Sequence, residues 1–144
     1  MSSRYEVVFA CFLRDDTPDE VLDALRWHLG QIADRPPELD ADEHPDRLLR
    51  PDPASPLPGG DVASLLYQLG GPGAQADSRG WGLFSRTLWA EDAMTEMGTI
   101  IQLVAPHVAE PGYGGHYREE HATEAVAFAF GDADADAESA APGG

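Results

Sequence analysis

Residues 5–13 carry an apolar side chain at every position but one, and this run constrains the fold more than any other feature of the chain. Tyr5, Val7, Phe9, Cys11 and Leu13 form one alternating set, and Val8, Ala10 and Phe12 form the other. Aromatic and β-branched types dominate, which suits a strand. A strand apolar on both sides is expected in the middle of a sheet, covered on both faces. Glu6 and Arg14 mark its wet ends.

Thr17-Pro18-Asp19-Glu20 then reads as a helix start. Thr17 stands as N-cap, Pro18 suits the first helical position, and Glu20 completes a capping box. Val21, Leu22, Leu25, His28, Leu29 and Ile32 fall on one helical stripe. Trp27 lies almost opposite that stripe. It is therefore a candidate interface residue, covered either by a second copy of the chain or by the segment that follows. His28, at the edge of the stripe, reads as a satisfied, partly buried histidine rather than a catalytic one.

From about 36 to 60 the chain changes character. Pro36, Pro37, Pro45, Pro51, Pro53, Pro56 and Pro58 forbid long regular structure. This excursion is longer than loops in compact domains usually run, and Leu48 and Leu49 are the residues able to pin it to the core. Residues 62–69 suit a helix through Val62, Leu65, Leu66 and Leu69, or a strand through Leu65, Tyr67 and Leu69. We read a strand, because Trp81–Trp89 beyond the Gly/Pro-rich stretch 70–80 supplies a pairing partner. A second helix is predicted from about Glu91, with a stripe of Ala93, Met94, Met97, Ile101, Val104 and Val108, ending near Ala105 before Pro106. Tyr113–His121 and Glu124–Phe130 read as a closing hairpin.

The fold class is thus α+β, in the order β-α-(β)-β-α-β-β, with two helices packed on one face of an antiparallel sheet as a two-layer sandwich. This order resembles the ferredoxin-like superfold with an added C-terminal strand. Residues 1–131 are expected to form one domain, and 132–144 a disordered acidic tail.

The 144 residues hold nine arginines, no lysine and no asparagine against 26 carboxylates, a formal net charge of -17. Such a chain repels nucleic acid and anionic lipid surfaces from long range. Scarce Lys and Asn beside abundant Ala, Gly, Pro and Arg fit a GC-rich bacterial genome. The acid is spread evenly along the sequence, as a solvating surface would be. Cys11 stands alone, so it makes no intramolecular disulfide and behaves as a small buried hydrophobe. Val8-Phe9-Ala10-Cys11 has the outline of a lipoprotein cleavage box, but only four apolar residues separate Glu6 from the cysteine, far short of a signal h-region. No stretch approaches a membrane span, and the expected location is cytoplasmic.

The richest polar constellation is His116-Tyr117-Arg118-Glu119-Glu120-His121. In a strand His116, Arg118 and Glu120 share one face, where His116 and Glu120 would form an acid/base pair and Arg118 would orient an anion. The plainer reading is an edge hairpin kept soluble by its charges. As metal ligands, His116, Glu120 and His121 miss the helical H-E-x-x-H spacing, and the inverted motif by one residue. Arg86, between Phe84 and Leu88, needs an exposed face or a carboxylate, and a buried carboxylate partner would make it the second candidate site. Gly70-Gly71-Pro72-Gly73 precedes a strand rather than a helix, which speaks against a phosphate loop. Asp132, Asp134 and Asp136 begin like a calcium loop, but Ala137 and Gly143 replace its glycine and glutamate. No G-x-S-x-G occurs. No cofactor or metal is expected.

Three functions compete. The first is a non-catalytic protein-interaction or small-ligand-binding domain, a homodimer covering Trp27. The second is a cofactor-free enzyme with a helix/sheet pocket near His116, using Glu120 and Arg118 or Arg86. The third is an acidic decoy or inhibitor of a basic protein partner, steered by charge.

Overall fold

The computed structural model describes residues 3–69, 79–109 and 111–130. The stretch 70–78 and the acidic tail from 132 onward, with its calcium-loop outline, lie outside these residues. Among the described residues, no helix is long and apolar enough to cross a membrane.

Five strands form one open antiparallel sheet: β1 (Arg4–Arg14), β2 (Val62–Leu69), β3 (Arg79–Ala90), β4 (Gly112–Glu119) and β5 (Val126–Phe130), in the order β2-β3-β1-β4-β5. The apolar run is indeed central, with Val8 opposite Arg86 of β3 and His116 of β4. Residues 62–69 pair with β3 along their whole length, which decides between strand and helix in favour of strand. The ferredoxin-like order does not describe this sheet. In that order the strand after the second helix is an edge, whereas β4 here has β1 on one side and β5 on the other. Element succession leaves lateral placement open, and the β4–β5 hairpin moves the edge outward.

Helix α1 (Asp19–His28) has Pro18 as its N-cap, so it begins one residue later than expected. Thr17 does not cap it, because its hydroxyl donates back to the Arg14 carbonyl at 2.6 Å. At its other end Gln31 N–H donates to Arg26 O and Gly30 N–H to Trp27 O, a Schellman turn that puts Gly30 at φ 82°. The second helical region is broken into a 3-10 segment (Glu91–Glu96), α2 (Met97–Val104) and a 3-10 turn (Ala105–His107) containing Pro106.

Leu22, Leu25 and Leu29 from the first helix and Met97, Ile100 and Val104 from the second join Val7, Phe9, Leu13, Leu65, Leu83 and Trp89 in one core. Fully burying each such side chain stabilises the fold by roughly 1.5–3 kcal/mol. These β1 residues are the odd-numbered ones. The even-numbered set faces away from the helices, yet Glu6 and Val8 are buried there and Ala10 and Phe12 are part-buried, so β1 is largely covered on both faces; the side of the sheet away from the helices is its open face.

Candidate functional site

On the open face Glu6 sits directly opposite Arg118 of β4, and Arg86 of β3 lies on the diagonal, opposite Val8. Arg86 Nε donates to Glu6 Oε2 at 2.6 Å, and Arg118 Nη2 donates to Glu6 Oε1 at 3.2 Å. Each carboxylate oxygen thus holds one guanidinium. Arg86 Nη1 also donates to the Pro58 and Gly60 carbonyls at 2.9 and 3.0 Å, and Arg118 Nη1 to Ala122 O at 2.8 Å. Burial would push the Glu6 carboxyl up, but hydrogen bonds and charge from Arg86, then from Arg118, hold it below its usual range. The triad ties the end of the excursion, three strands and the β4–β5 turn together. Two cations on one carboxylate leave one positive charge over.

The structure therefore brings Arg86 and Arg118 together, through a residue that the sequence reading left as an end marker. Glu6 was detectable: it is the lone charge inside an apolar strand, and Arg86 needed a carboxylate. His116 and Glu120 do not form the expected pair. His116 Nδ1 lies 2.6 Å from the Tyr113 hydroxyl, while Glu120 accepts from Arg4 Nε and Nη2 at 3.1 and 3.0 Å. Engagement by Arg4 also removes Glu120 from the metal reading, and no cluster of three metal-ligating side chains occurs among the described residues. Burial pushes the Cys11 thiol up to about 12, which leaves it without nucleophilic character near neutrality.

Beside the triad the open face carries an apolar patch. Phe84 stands beside Ala10 on β1 and Ser64 on β2, and Leu66 and Val62 occupy the two diagonal positions on β2. Val62, Leu66 and Phe84 remain 42%, 59% and 39% exposed. Charge is also segregated here. The five strands contain five of the nine arginines but only Glu6 and Glu119 of the 26 carboxylates. Acid that looks even along the sequence is therefore concentrated off the sheet in space. Each arginine of the open face has a carboxylate in reach: Arg4 pairs with Glu120, Arg14 with Asp16, and Arg86 and Arg118 share Glu6.

Trp27 is buried within its own chain, only 6% exposed. Leu39, Ile32 and Leu103 pack on it, and the Arg35 and Arg47 guanidinium carbons lie 4.6 and 5.3 Å from its ring. The reason for expecting a second copy over Trp27 falls away. Beneath the excursion His28 is fully buried and meets a residue the sequence reading passed over, His44, with His28 Nε2 at 2.9 Å from His44 Nδ1. A shallow cleft of about 600 Å³ is lined by Trp27, Arg47, Arg50 and prolines of the excursion, and a smaller one of about 170 Å³ by Thr87, Trp89 and Ala93 among others. His116 lines neither. Comparisons with family models, curated proteins and solved structures find no match to this chain.

Proposed function

We propose that this chain is a non-catalytic protein-interaction domain that pairs with a second copy of itself through the open face of the sheet. The observation that carries this reading is the contiguous exposure of Val62, Leu66 and Phe84 beside the Glu6–Arg86–Arg118 triad. Exposed apolar patches of this kind mark interaction surfaces. Strand spacing and rise give the face roughly 600–700 Å², close to the ~800 Å² per partner of a standard interface. Charge favours a second copy as occupant. Two molecules of charge -17 meet without stacking acid on acid only where carboxylates are scarce and already paired, and this face meets both conditions. Face-to-face packing of two sheets has a settled geometry, with inner side chains interdigitating across about 10 Å. The enzymatic reading is weaker, because His116, Glu120 and Arg118 are each held by different partners.

Sedimentation velocity across micromolar concentrations tests the proposal. The wild-type chain should form a dimer. Leu66→Glu and Phe84→Glu should each weaken it by ~10–100-fold in Kd, the equivalent of one buried apolar side chain, with far-UV circular dichroism unchanged. A wild type that stays monomeric, or variants that dimerise as well as wild type, would overturn it.

A further inference from the structure

The excursion is held on α1 by contacts of an unusual kind. Leu48 N–H donates to His28 Nδ1 at 3.1 Å and Leu49 N–H to the His28 carbonyl at 3.1 Å. With Nδ1 occupied as an acceptor, the His28 proton sits on Nε2 and is donated to His44 Nδ1, so both rings are neutral in this arrangement. Arg35 Nη2 donates to the His44 and Pro45 carbonyls at 2.9 and 3.1 Å, and Arg47 donates to Ala33 O. Both arginines lie over Trp27, and Leu39 packs beside it. The segment is tethered at one end by the Gly30 turn and at the other by Leu49, which is fully buried in the main core.

We infer that residues 33–48 form a pH-sensitive strap, which acidification releases from α1 to uncover Trp27 while the sheet stays folded. A proton added to His28 Nδ1 sets donor against the Leu48 N–H, and a proton added to His44 Nδ1 sets donor against His28 Nε2–H. Protonating His28 also places a cation near Arg35 and Arg47, and protonating His44 places one near Arg35. The groups facing the pair are these two arginines and, around His44, Glu43 and Asp40 of the strap and Glu96 of the 3-10 segment. Burial, then His44, Arg35 and Arg47, lowers His28 to about 3. Burial lowers His44 as well, and it outweighs the opposing pull of Glu43, Asp40 and Glu96.

The sign follows from linkage. A released histidine protonates near ~6.5, whereas the strapped one resists, so the strap is at full strength above that pH and weakens as pH falls below it. At pH ~5.5 His28 alone shifts the equilibrium about tenfold toward release, and His44 adds to the shift in the same direction. The strap is separate from the open sheet face, so this inference stands or falls independently of dimerisation.

Hydrogen exchange read by mass spectrometry at pH 7.5 and 5.5, corrected for intrinsic rates, tests it on the full chain. Peptides covering 33–48 should lose protection at pH 5.5 by about tenfold or more while β1 and β3 keep theirs. The double variant His28→Asn/His44→Asn places an amide oxygen where each Nδ1 stands and should abolish the pH response. Should that variant fail to fold, His44→Asn alone should leave a smaller response, that of His28, of about tenfold. Equal protection of the strap at both pH values, or loss in strap and sheet together, would overturn the inference.

Discussion

At the scale of single residues, the centre of the open face depends on Glu6. Removing its charge leaves two half-buried guanidinium groups without their counter-ion, a costlier change than losing a surface pair. Glu6→Gln should lower stability by ~1–3 kcal/mol in urea unfolding at pH 7. Because the folded-state carboxyl is held below its ordinary value, the triad's contribution is complete above the unfolded carboxylate range and fades as pH falls through the folded value. The difference between wild type and Glu6→Gln should accordingly narrow on acidification. Gly115 is the second pivotal residue. It adopts φ 148° beside the irregularity between Tyr113 and Gly115, and a Cβ there would stand 1.9 Å from the Val8 carbonyl oxygen. Gly115→Ala should cost at least ~2 kcal/mol, measured as the shift in the urea midpoint.

Among the elements, α1 differs most from its sequence reading. One stripe was expected to be buried; instead Ala24 and Trp27 are buried together with Leu22, Leu25 and His28, so the helix is covered on two sides. Prolines stop the excursion from forming a helix or strand, yet they do not stop it from packing. Leu49 enters the main core, and Leu39 joins Ala24 and Trp27 in a second cluster. Leu49→Ala should therefore cost ~2–5 kcal/mol in chemical unfolding, like any well-packed core leucine. In the second helical region, the Thr95 hydroxyl donates to the Asp92 carbonyl, a local bond that competes with regular helix geometry in the first turns.

For the molecule as a whole, the arrangement of charge matters more than its total. A chain of charge -17 repels its copies at long range, whereas in the proposed dimer the internally paired sheet face with its apolar patch would hold them at contact. Raising salt screens the first effect and barely touches the second, since the Debye length falls from ~30 Å at 0.01 M to ~8 Å at 0.15 M. The dimer should tighten across that range by sedimentation, the opposite of what an acidic decoy on a basic partner would show. Segregation of this sort was hidden in the sequence, where acids alternate with every kind of segment. It emerges because the strands, with five arginines and two glutamates, gather into one sheet.

Local chemistry alone determined the central strand, the two helical regions, the irregular excursion and the closing hairpin. Each follows from the side-chain period or turn residues of a short stretch of chain, and each is present in the structure. Tertiary structure decided which sheet face stays open, how the strands lie side by side, what covers Trp27, and which charges pair. Glu6 meets Arg86 across 80 residues and Arg118 across 112, and His28 meets His44 across 16. His116 and Glu120, only four apart, turn to other partners. Periodicity is a property of neighbouring residues, whereas a contact is a property of strands and loops brought together, and only the folded chain specifies the second.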